Sequence, residues 1–596
     1  MASTLTWVLA GVVVYTVGAM ALSARGLLPE AIRISGPITT IHTKRGREFL
    51  DRLATRRRFW RAWANVGVGV AVVVMVGMLI FLLLAAVSVA EQPTRTAVQN
   101  PQNALVIPGV NDFLPLTVAG EIVLGLVVGM VVHEGGHGLL CRVEDIDIDS
   151  MGLALFTIIP IGAFVEPDED SRSGADRGAQ TRMFAAGVTN NFALTAITLA
   201  LLFGPIVGSI GAAAGAPVGD ALTGSPAAEA GLEYGDRIVA VNGTGVDSAA
   251  DLETALADSG SRAVRVDLAD GQTVTVRRAL TITGVVPGFV EGVSLTGERP
   301  PRIQSVNGTA VATEGDFRAA VEDRTVAQIE TDRGVATVPV GAFVASVNPD
   351  DGMAAALADA DVQTDGGFVV TRIDDRRIVN TSALGTVLDR YEPGETVTVE
   401  AYVDGQRHTL EVELSESGGS AILGVRVRDG YSGITVDDFG VDPYPAKVFL
   451  AMLGSESGDF EGPLFGSVFA NVFAVLVMPF LSVMVPDFGY NFAGFTADVA
   501  NFYAVSGPLG FLGGALFPIA NVLFWTGWIN FNLAIFNCIP AFPLDGGHIL
   551  RTSTEAVVAR LPVSAPRRLT TVVTTVVTLT MVVALALMLF GPQLLS

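Results

Sequence analysis

Residues 116–140 read LTVAGEIVLGLVVGMVVHEGGHGLL, an apolar run that leads directly into two histidines. Its first seventeen residues contain one ionisable side chain, Glu121, so the stretch predicts a membrane-spanning helix. His133 and His137 stand at positions i and i+4, which share one face of a helix and can bind one metal ion. Glu134 follows the first histidine and lies close enough to accept a proton from metal-bound water. Ionisable groups at membrane depth are costly, so we expect this group to be functional.

A third ligand is expected, because a catalytic zinc site takes three protein ligands and keeps one open position. Residues 537–548, NCIPAFPLDGGH, offer Asp545 at the end of another apolar segment. Pro540 and Pro543 prevent a regular helix before it, so the backbone can bend the carboxylate towards the histidines. The alternative is that Asp545 is an ordinary helix N-cap. For His548, a role in supporting the site and no role at all are both open; it is not predicted to be a ligand.

The composition indicates a membrane protein with a sizeable water-soluble part. The mean hydropathy is +0.50, half of the residues are hydrophobic, and the formal net charge is −23. Lys44 and Lys447 are the only lysines. An acidic, lysine-poor chain lacks the basic surface that neutralises phosphates, which argues against nucleic acid, and it suggests a halophilic archaeal source. Cys141 and Cys538 are expected to be buried small hydrophobic residues without a disulfide.

The expected fold is a polytopic α-helical membrane protein of about six to eight spans, with an inserted soluble region that is mostly β. An arginine-rich stretch at 44–61 and arginines at 551–568 place those loops in the cytoplasm, and hence residues 216–430 outside. Residues 151–165 are apolar but short, so we expect a re-entrant or interfacial segment. Three apolar stretches lie between 464 and 540 (464–485, 492–516 and 517–539). Either all three cross the membrane, or one of them lies flat. The predicted regions are 1–115 (two spans and a basic loop), 116–215 (membrane core with the two histidines), 216–430 (soluble region), 431–510 (connecting region), 511–555 (membrane core with Asp545) and 556–596 (last span).

The soluble region contains an internal repeat. DRIVAVNGTGV at 236–246 matches PRIQSVNGTAV at 301–311, and FVVTRIDDRRIV at 368–379 is a looser third copy. Each copy predicts a strand, a tight turn and a second strand before a helix. Around the first copy, GSPAAEAGLEYGDRIVAVNG at 224–243 resembles a PDZ domain of the bacterial protease type, so 216–430 is expected to hold tandem PDZ-like modules that capture extended peptides.

The two metal-binding stretches together resemble the site-2 protease family (peptidase M50-like), whose patterns are HExxH and NxxPxxPLDG. The resemblance implies that His133, His137 and Asp545 bind one catalytic Zn²⁺ and that Glu134 is the general base. It implies that Asn537 acts in catalysis by holding the substrate backbone or the oxyanion. FAAGVTNNFALTA at 184–196 resembles the family's glycine-asparagine motif around Gly187, with Asn190 and Asn191 expected to bind substrate. Residues 153–165 resemble its membrane-embedded hairpin, which presents an edge to an unwound substrate, and SGPLG at 506–510 resembles the element before the second motif.

The resemblance implies an intramembrane metalloendopeptidase that uses zinc-activated water to cleave membrane-spanning substrates, such as a membrane-anchored regulator. Its surroundings are the lipid bilayer of the plasma membrane, with the active site near the cytoplasmic face and the PDZ-like region extracytoplasmic. One alternative is a non-proteolytic PDZ-type scaffold or receptor, which requires a decayed metal site. The other is a membrane-anchored quality-control protease for soluble proteins, which requires the HEGGH helix to lie outside the bilayer.

Overall fold

The computed structural model describes residues 4–91, 108–111, 114–286, 292–294, 296–297, 299–364, 367–454, 468–485 and 488–595. The chain forms two compact units. The first, here called the membrane unit, comprises Met1–Ala212 and Lys447–Ser596. The second, the inserted unit, comprises Ala213–Ala446.

Helices and strands are numbered along the whole chain. The helices are α1 (Thr4–Ala24), α2 (Lys44–Ala54), α3 (Arg57–Glu91), α4 (Ala119–Val143), α5 (Glu169–Gly174), α6 (Arg177–Leu201), α7 (Pro226–Glu229), α8 (Ala249–Ser259), α9 (Glu314–Val321), α10 (Gly352–Asp359), α11 (Thr381–Leu388), α12 (Ala446–Met452), α13 (Val468–Val477), α14 (Leu481–Met484), α15 (Ala497–Ala500), α16 (Leu516–Asn537), α17 (Asp545–Val558) and α18 (Pro566–Leu595). The strands are β1 (Ile32–Ser35), β2 (Ile38–His42), β3 (Ile148–Phe156), β4 (Ile159–Pro167), β5 (Ile210–Ala212), β6 (Ala216–Ala221), β7 (Arg237–Val241), β8 (Thr244–Gly245), β9 (Ala263–Leu268), β10 (Thr273–Arg277), β11 (Thr281–Val285), β12 (Ile303–Val306), β13 (Thr309–Ala310), β14 (Val326–Thr331), β15 (Gly334–Pro339), β16 (Ala342–Val347), β17 (Phe368–Ile373), β18 (Arg376–Arg377), β19 (Thr396–Val403), β20 (Gln406–Glu413), β21 (Ser415–Ser417), β22 (Ser420–Ile422), β23 (Val425–Arg428), β24 (Ile434–Asp437), β25 (Val441–Pro443) and β26 (Tyr503–Val505).

Five helical segments among the described residues are long and apolar enough to cross a bilayer. They are Arg57–Glu91, Leu116–Val143, Arg177–Ser209, Gly507–Asn537 and Pro566–Leu594. Two shorter apolar segments, Ala10–Ala24 and Ala470–Met484, accompany them. The polytopic helical character is therefore as predicted, whereas a total of six to eight spans requires the shorter segments to cross as well.

The apolar region between 464 and 540 forms one long helix and not three. α13 gives way to a 3-10 turn at Met478–Phe480, and α14 has four residues. In the described part of the predicted stretch 492–516, the chain forms the short helix α15, strand β26 and a 3-10 segment. Glycines at positive φ (Gly494 and Gly507) and Pro508 explain why apolar sequence does not continue as α-helix there. Between 464 and 540, the described residues contain one helical segment long enough to cross a bilayer, Gly507–Asn537. Residues 464–467, the start of the first stretch, lie outside the described residues.

The membrane unit also contains a four-stranded antiparallel sheet in the order β1-β2-β3-β4. The predicted re-entrant segment 151–165 lies in the β3–β4 hairpin, which turns at Thr157 with a φ of 57°. β2 pairs with β3, from Ile38 opposite Phe156 to His42 opposite Gly152. The stretch 44–61 was expected to lie in a basic cytoplasmic loop, and the two strands before it, β1 and β2, which extend this sheet, were not predicted. As a result β4 is one of its two edge strands.

Helices α4, α6 and α16 form the tightly packed centre of the membrane unit. A Cβ at Gly125 would lie 3.1 Å from the carbonyl oxygen of Trp525 in α16, and one at Gly136 would lie 2.8 Å from that of Ala186 in α6. Small residues at such crossings let helix backbones approach closely within a bilayer. At the end of α4, Glu144 is almost fully buried and accepts hydrogen bonds from Arg61 of α3 and Arg182 of α6. These hydrogen bonds fix the position of the end of α4 relative to α3 and α6.

The described residues of the inserted unit form three modules that are nested, whereas a tandem array was expected. The third module is continuous, and its sheet runs β20-β19-β17-β16-β23. The first module begins at β6, but the strand that pairs with β6 is β25, which follows the third module. The second module is also completed by a strand that follows the third module, because β11 pairs with β24. The unit therefore continues past the predicted end at residue 430 to Ala446. Local sequence patterns do not encode which strand pairs with which.

Candidate metal centre

Two histidines of α4 and the first residue of α17 meet inside the membrane unit. Nε2 of His133 and Nε2 of His137 lie 3.2 Å apart. Oδ2 of Asp545 lies 3.2 Å from the first of these nitrogens and 3.3 Å from the second. His133 and His137 are 5% and 9% exposed, so the group is shielded from bulk solvent. The three residues predicted as metal ligands form one cluster, although Asp545 follows the two histidines by some four hundred residues of sequence.

The donor atoms fit a zinc ion. Tetrahedral ligands at about 2.0 Å from a common centre are separated by about 3.3 Å, which matches the three separations between the donor atoms. Oδ2 of Asp545 is buried, and no described residue supplies it with a hydrogen bond. A buried carboxylate oxygen without a donor is costly unless a cation approaches it. Two imidazoles and one carboxylate are also the donor set of a catalytic zinc site.

Residues of helix α6 contact Nδ1 of both imidazole rings and so orient the rings. Nδ1 of His137 lies 2.8 Å from the carbonyl oxygen of Met183, which directs Nε2 towards Asp545. Nδ1 of His133 lies 3.2 Å from the side-chain nitrogen of Asn191. The approach of α6 depends on Gly187, because a Cβ there would lie 2.6 Å from Nε2 of His137. The glycine of the sequence motif therefore makes room for the two predicted histidine ligands.

The turn between α16 and α17 places Asp545 beside the two histidines. α16 ends at Asn537 and α17 begins at Asp545, so the proline-containing segment 538–544 is outside both helices, as predicted. A Cβ at Gly546 would lie 2.4 Å from the carbonyl oxygen of Ile539, and the two glycines after Asp545 let α17 start directly against this turn. The N–H of Phe542 donates a 3.4 Å hydrogen bond to Oγ1 of Thr578 in α18. The last span thereby supports the turn.

Glu134 lies in the same helical turn as His133 and is anchored to the sheet. Its Oε2 accepts a 2.9 Å hydrogen bond from the backbone N–H of Val165 in β4. Because β4 is at the edge of the sheet, this N–H has no further strand to pair with. The predicted base and the predicted membrane hairpin are therefore in direct contact, a link that the sequence alone did not reveal.

The three predicted asparagines have different surroundings. Asn191 is fully buried against His133, whereas Oδ1 of Asn190 accepts a 3.0 Å hydrogen bond from Nε1 of Trp63 in α3. Asn537 donates from Nδ2 to the carbonyl oxygen of Leu533 in its own helix. Substrate contact by all three stays a prediction. The contact of Asn191 with His133 favours a positioning role for Asn191.

His548 and the two cysteines stand apart from the donor atoms. The ring of His548 stacks on Phe184 with centroids 4.3 Å apart and contacts Phe542 edge-on. Cys141 and Cys538 are free and buried, as expected. His548 thus packs α17 against α6, which is a supporting role one turn away from Asp545.

Two histidines, a carboxylate and a neighbouring glutamate thus lie among long apolar helices, and the first three could hold one metal ion. The chain belongs to Peptidase family M50, which its sequence matches over residues 121–584. Within the matched region lie all four central residues, His133, Glu134, His137 and Asp545.

Two further similarities are local. Over 35 residues, 6% of this chain and 10% of the relative, the sequence is 51% identical to an uncharacterized protein of Methanocaldococcus jannaschii. The chain thus matches about a tenth of the length of that relative. The PDZ domain of the SdrC-like protein from Listeria monocytogenes is similar at 20% identity, covering 15% of this chain and 86% of that domain with a TM-score of 0.13. That score is too low to define the fold of the modules.

Proposed function

We propose that this protein is a zinc-dependent endopeptidase that cleaves membrane-spanning proteins within the bilayer. The observation that carries the proposal is the convergence of His133, His137 and Asp545 on one point near the C-terminal end of an apolar helix, with Glu134 beside them. Family membership supports peptide hydrolysis as the reaction. The position of the cluster among apolar helices favours a membrane substrate over a soluble one.

The roles of the residues follow from their places. His133, His137 and Asp545 would hold the zinc ion, which when bound acidifies a water molecule and polarises the scissile carbonyl. Glu134 has one oxygen on the Val165 N–H, leaving Oε1 to accept a proton from the attacking water and pass it to the leaving amine. Asn537 is the candidate for holding the substrate backbone.

Strand β4 is suited to binding an unwound substrate segment. A transmembrane helix hides its peptide bonds in internal hydrogen bonds, so it must unwind before hydrolysis. An extended segment can then pair with a free sheet edge. The Val165 N–H points from this edge to Glu134, and main-chain groups two residues away, at Ala163, lie on the same side of the strand. A substrate strand along β4 would therefore run beside the predicted base.

The expected setting is the plasma membrane, with the centre near the cytoplasmic face and the inserted unit outside. Its PDZ-like modules would then select or tether substrates by their external portions. Deleting residues 224–429 should change which substrates are cut while leaving the zinc content unchanged. Unchanged selectivity would assign the modules a structural role.

The scaffold alternative is less well supported, because it requires a decayed metal site and all three ligands and Glu134 are present. A comparison of membrane-protein fragments in cells expressing wild type or Glu134→Gln tests the proposal. Fragments cut within single-span segments should appear with wild type alone. Identical fragment patterns in the two strains would reject intramembrane proteolysis and favour a scaffold.

A further inference from the structure

The stretch 44–61 is strongly basic within an acidic chain. It contains eight basic and two acidic side chains, whereas the whole chain has 37 basic and 60 acidic ones. The preference for basic residues on the cytoplasmic side of a span accounts for their presence. It does not account for their arrangement on the folded chain, which indicates a ligand.

Three of the eight basic side chains serve the fold. Arg57 and Arg61 form ion pairs with carboxylates just after the end of α4, and Arg47 donates to a backbone carbonyl of β3. The other five are exposed and have no carboxylate partner among the residues that the structure describes: Lys44, Arg45, Arg52, Arg56 and Arg58. An acidic chain could readily have supplied such partners, so this local positive surface is suited to an anionic ligand.

One side of α2 carries arginines and apolar residues at helical spacing. Steps of three or four residues place successive side chains on the same side of a helix. Such steps connect five exposed residues, here called the interfacial stripe: Arg45, Phe49, Arg52, Leu53 and Arg56, the last just past the end of the helix. Phe49 and Leu53 are 56% and 37% exposed. Exposed apolar side chains next to arginines are typical of a helix at the boundary between lipid headgroups and acyl chains.

The other side of α2 packs against the metal-binding helix and the sheet. Leu50 is buried, and its Cδ1 lies 2.7 Å from the position that a Cβ on Gly138 of α4 would take. At the start of the helix, the backbone N–H of Thr43 donates a 3.0 Å hydrogen bond to the carbonyl oxygen of Met151 in β3. These contacts hold α2 from one side and leave the interfacial stripe exposed on the other.

α2 also adjoins a helix that can cross the bilayer. Two residues separate its end from the start of α3, which is long and apolar enough to span. Nε1 of Trp60, in the first turn of α3, donates a 2.8 Å hydrogen bond to the carbonyl oxygen of Leu53 and so joins the two helices. Phe59 beside it is 57% exposed, and aromatic residues at the end of a span lie at headgroup level. The interfacial stripe is therefore expected at the surface of the bilayer.

We propose that α2 and the start of α3 form a binding surface for anionic lipid headgroups, in the leaflet at the N-terminal end of α3. Arg45, Arg52 and Arg56 pair with the headgroups, while Phe49 and Leu53 enter the boundary with the acyl chains. The exposed apolar residues favour lipid over an acidic soluble protein, which would not need them. This surface goes beyond the proposed peptidase activity and does not depend on zinc.

Hydrogen exchange of the full chain in vesicles tests the proposal. The vesicles contain phosphatidylcholine alone, or phosphatidylcholine with about 30% phosphatidylglycerol, an anionic lipid. A ligand that binds only the folded helix slows its exchange by a factor that grows with ligand concentration relative to Kd, so the amides of 44–54 should exchange at least about threefold more slowly with phosphatidylglycerol. Helix α8, a surface helix of the same length in the inserted unit, should exchange equally in both vesicles.

Two triple variants separate charge from side-chain shape. Arg45→Gln/Arg52→Gln/Arg56→Gln should abolish the slowing by phosphatidylglycerol, because the headgroups lose their cationic partners. Arg45→Lys/Arg52→Lys/Arg56→Lys keeps the three charges and should retain most of the slowing. All three positions are exposed, so neither set of changes removes a buried contact.

The matched control for net charge is Arg390→Gln/Arg426→Gln/Arg428→Gln, which removes three exposed arginines of the inserted unit and should behave as wild type does. Glu48→Gln provides a test in the opposite direction. Glu48 is exposed and lies three and four residues from Arg45 and Arg52, so its removal should increase the slowing. This single variant keeps the proposal testable if the glutamine triple variant at 45, 52 and 56 does not fold.

Equal exchange of 44–54 in the two vesicles by wild type would overturn the proposal and favour a docking surface for an acidic protein. Equal slowing in wild type and in the glutamine triple variant of the interfacial stripe, or equal slowing of α8, would also overturn it, because phosphatidylglycerol would then act on the protein as a whole. Loss of the slowing in the lysine variant would contradict an electrostatic site. None of these measurements requires zinc or peptide cleavage, so the proposal and the proposed function fail separately.

Discussion

The backbone N–H of Val165 donates a 2.9 Å hydrogen bond to Oε2 of Glu134, joining an edge strand to the residue that follows His133, the first predicted metal ligand. This contact orients the carboxylate with one oxygen occupied and one available. It also places the sheet edge next to the centre where hydrolysis is proposed. Substrate binding along β4 and proton transfer by Glu134 are therefore expected to depend on the same few atoms.

Val165→Pro removes this donor in an edge strand, where proline is tolerated. A hydrogen bond to a charged group contributes about 1.5–3 kcal/mol, so peptide cleavage should fall roughly 10- to 100-fold. The zinc content should not change, because no metal ligand is touched. Val165→Ala keeps the N–H and is the control for lost side-chain packing. Equal activity of the two variants would show that the hydrogen bond has no catalytic role.

Gly187→Ala should disturb the metal ligands directly. The added methyl group would lie 2.6 Å from Nε2 of His137 and 2.8 Å from Cε1 of His133, so one of the helices must shift. We expect a loss of zinc affinity of at least about tenfold, measured by chelator competition. Gly135→Ala is the matched control, since nothing lies within 4 Å of a Cβ there. Wild-type zinc binding by Gly187→Ala would contradict the close packing of α6 on the site.

Asp545→Asn replaces the charged ligand by a neutral amide. Since zinc selects deprotonated ligands, zinc affinity should fall by more than about 100-fold. Elemental analysis after dialysis measures the effect. His548→Ala, which removes a ring stacked on Phe184 and no proposed ligand, should retain one zinc ion per chain. Loss of zinc from His548→Ala and not from Asp545→Asn would reverse the ligand assignment.

In the inserted unit, Arg278 and Asp438 form a buried two-pronged ion pair, with distances of 2.9 and 2.7 Å. Arg278→Met leaves the carboxylate unpaired and should lower the free energy of unfolding by about 3–5 kcal/mol. Arg278→Met/Asp438→Leu should cost less, about 2 kcal/mol for the two further hydrogen bonds that it removes, from Nη1 of Arg278 to the carbonyl oxygen of Leu256 and from the Glu314 N–H to Asp438. Pulse proteolysis in urea, following cleavage within residues 213–446 of the full chain, measures both. Equal destabilisation by the single and the double variant would mean that loss of charge pairing is not the reason why Arg278→Met lowers the free energy of unfolding.

The proximity of His133, His137 and Asp545 was predictable from the sequence because these residues carry strong chemical constraints. Two histidines four residues apart on a helix can serve one ion, and an aspartate closing an apolar segment needs a cation or a polar partner. The proline pair before Asp545 correctly indicated a break between helices. The long apolar helices that flank the centre, α4, α6 and α16, were also predictable, whereas the apolar stretches 464–485 and 492–516 form no helix of that length in their described parts.

The groups that form hydrogen bonds with His137 and Glu134 were not predictable from the sequence. Met183 contributes a main-chain oxygen to His137, Val165 a main-chain N–H to Glu134, and any residue type could do so. The pairing of β2 with β3 and of β6 with β25 joins segments more than a hundred residues apart, and their local patterns fit several partners equally well.

The most direct test of the account uses purified wild type and Glu134→Gln, each shown to contain one zinc ion per chain, in liposomes with a single-span substrate. Mass spectrometry of the products locates the cleaved bond. We predict cleavage within the membrane-spanning segment by wild type, and a rate at least about 100-fold lower with Glu134→Gln at equal zinc content. Cleavage at the same bond and at the same rate by both proteins would contradict the account.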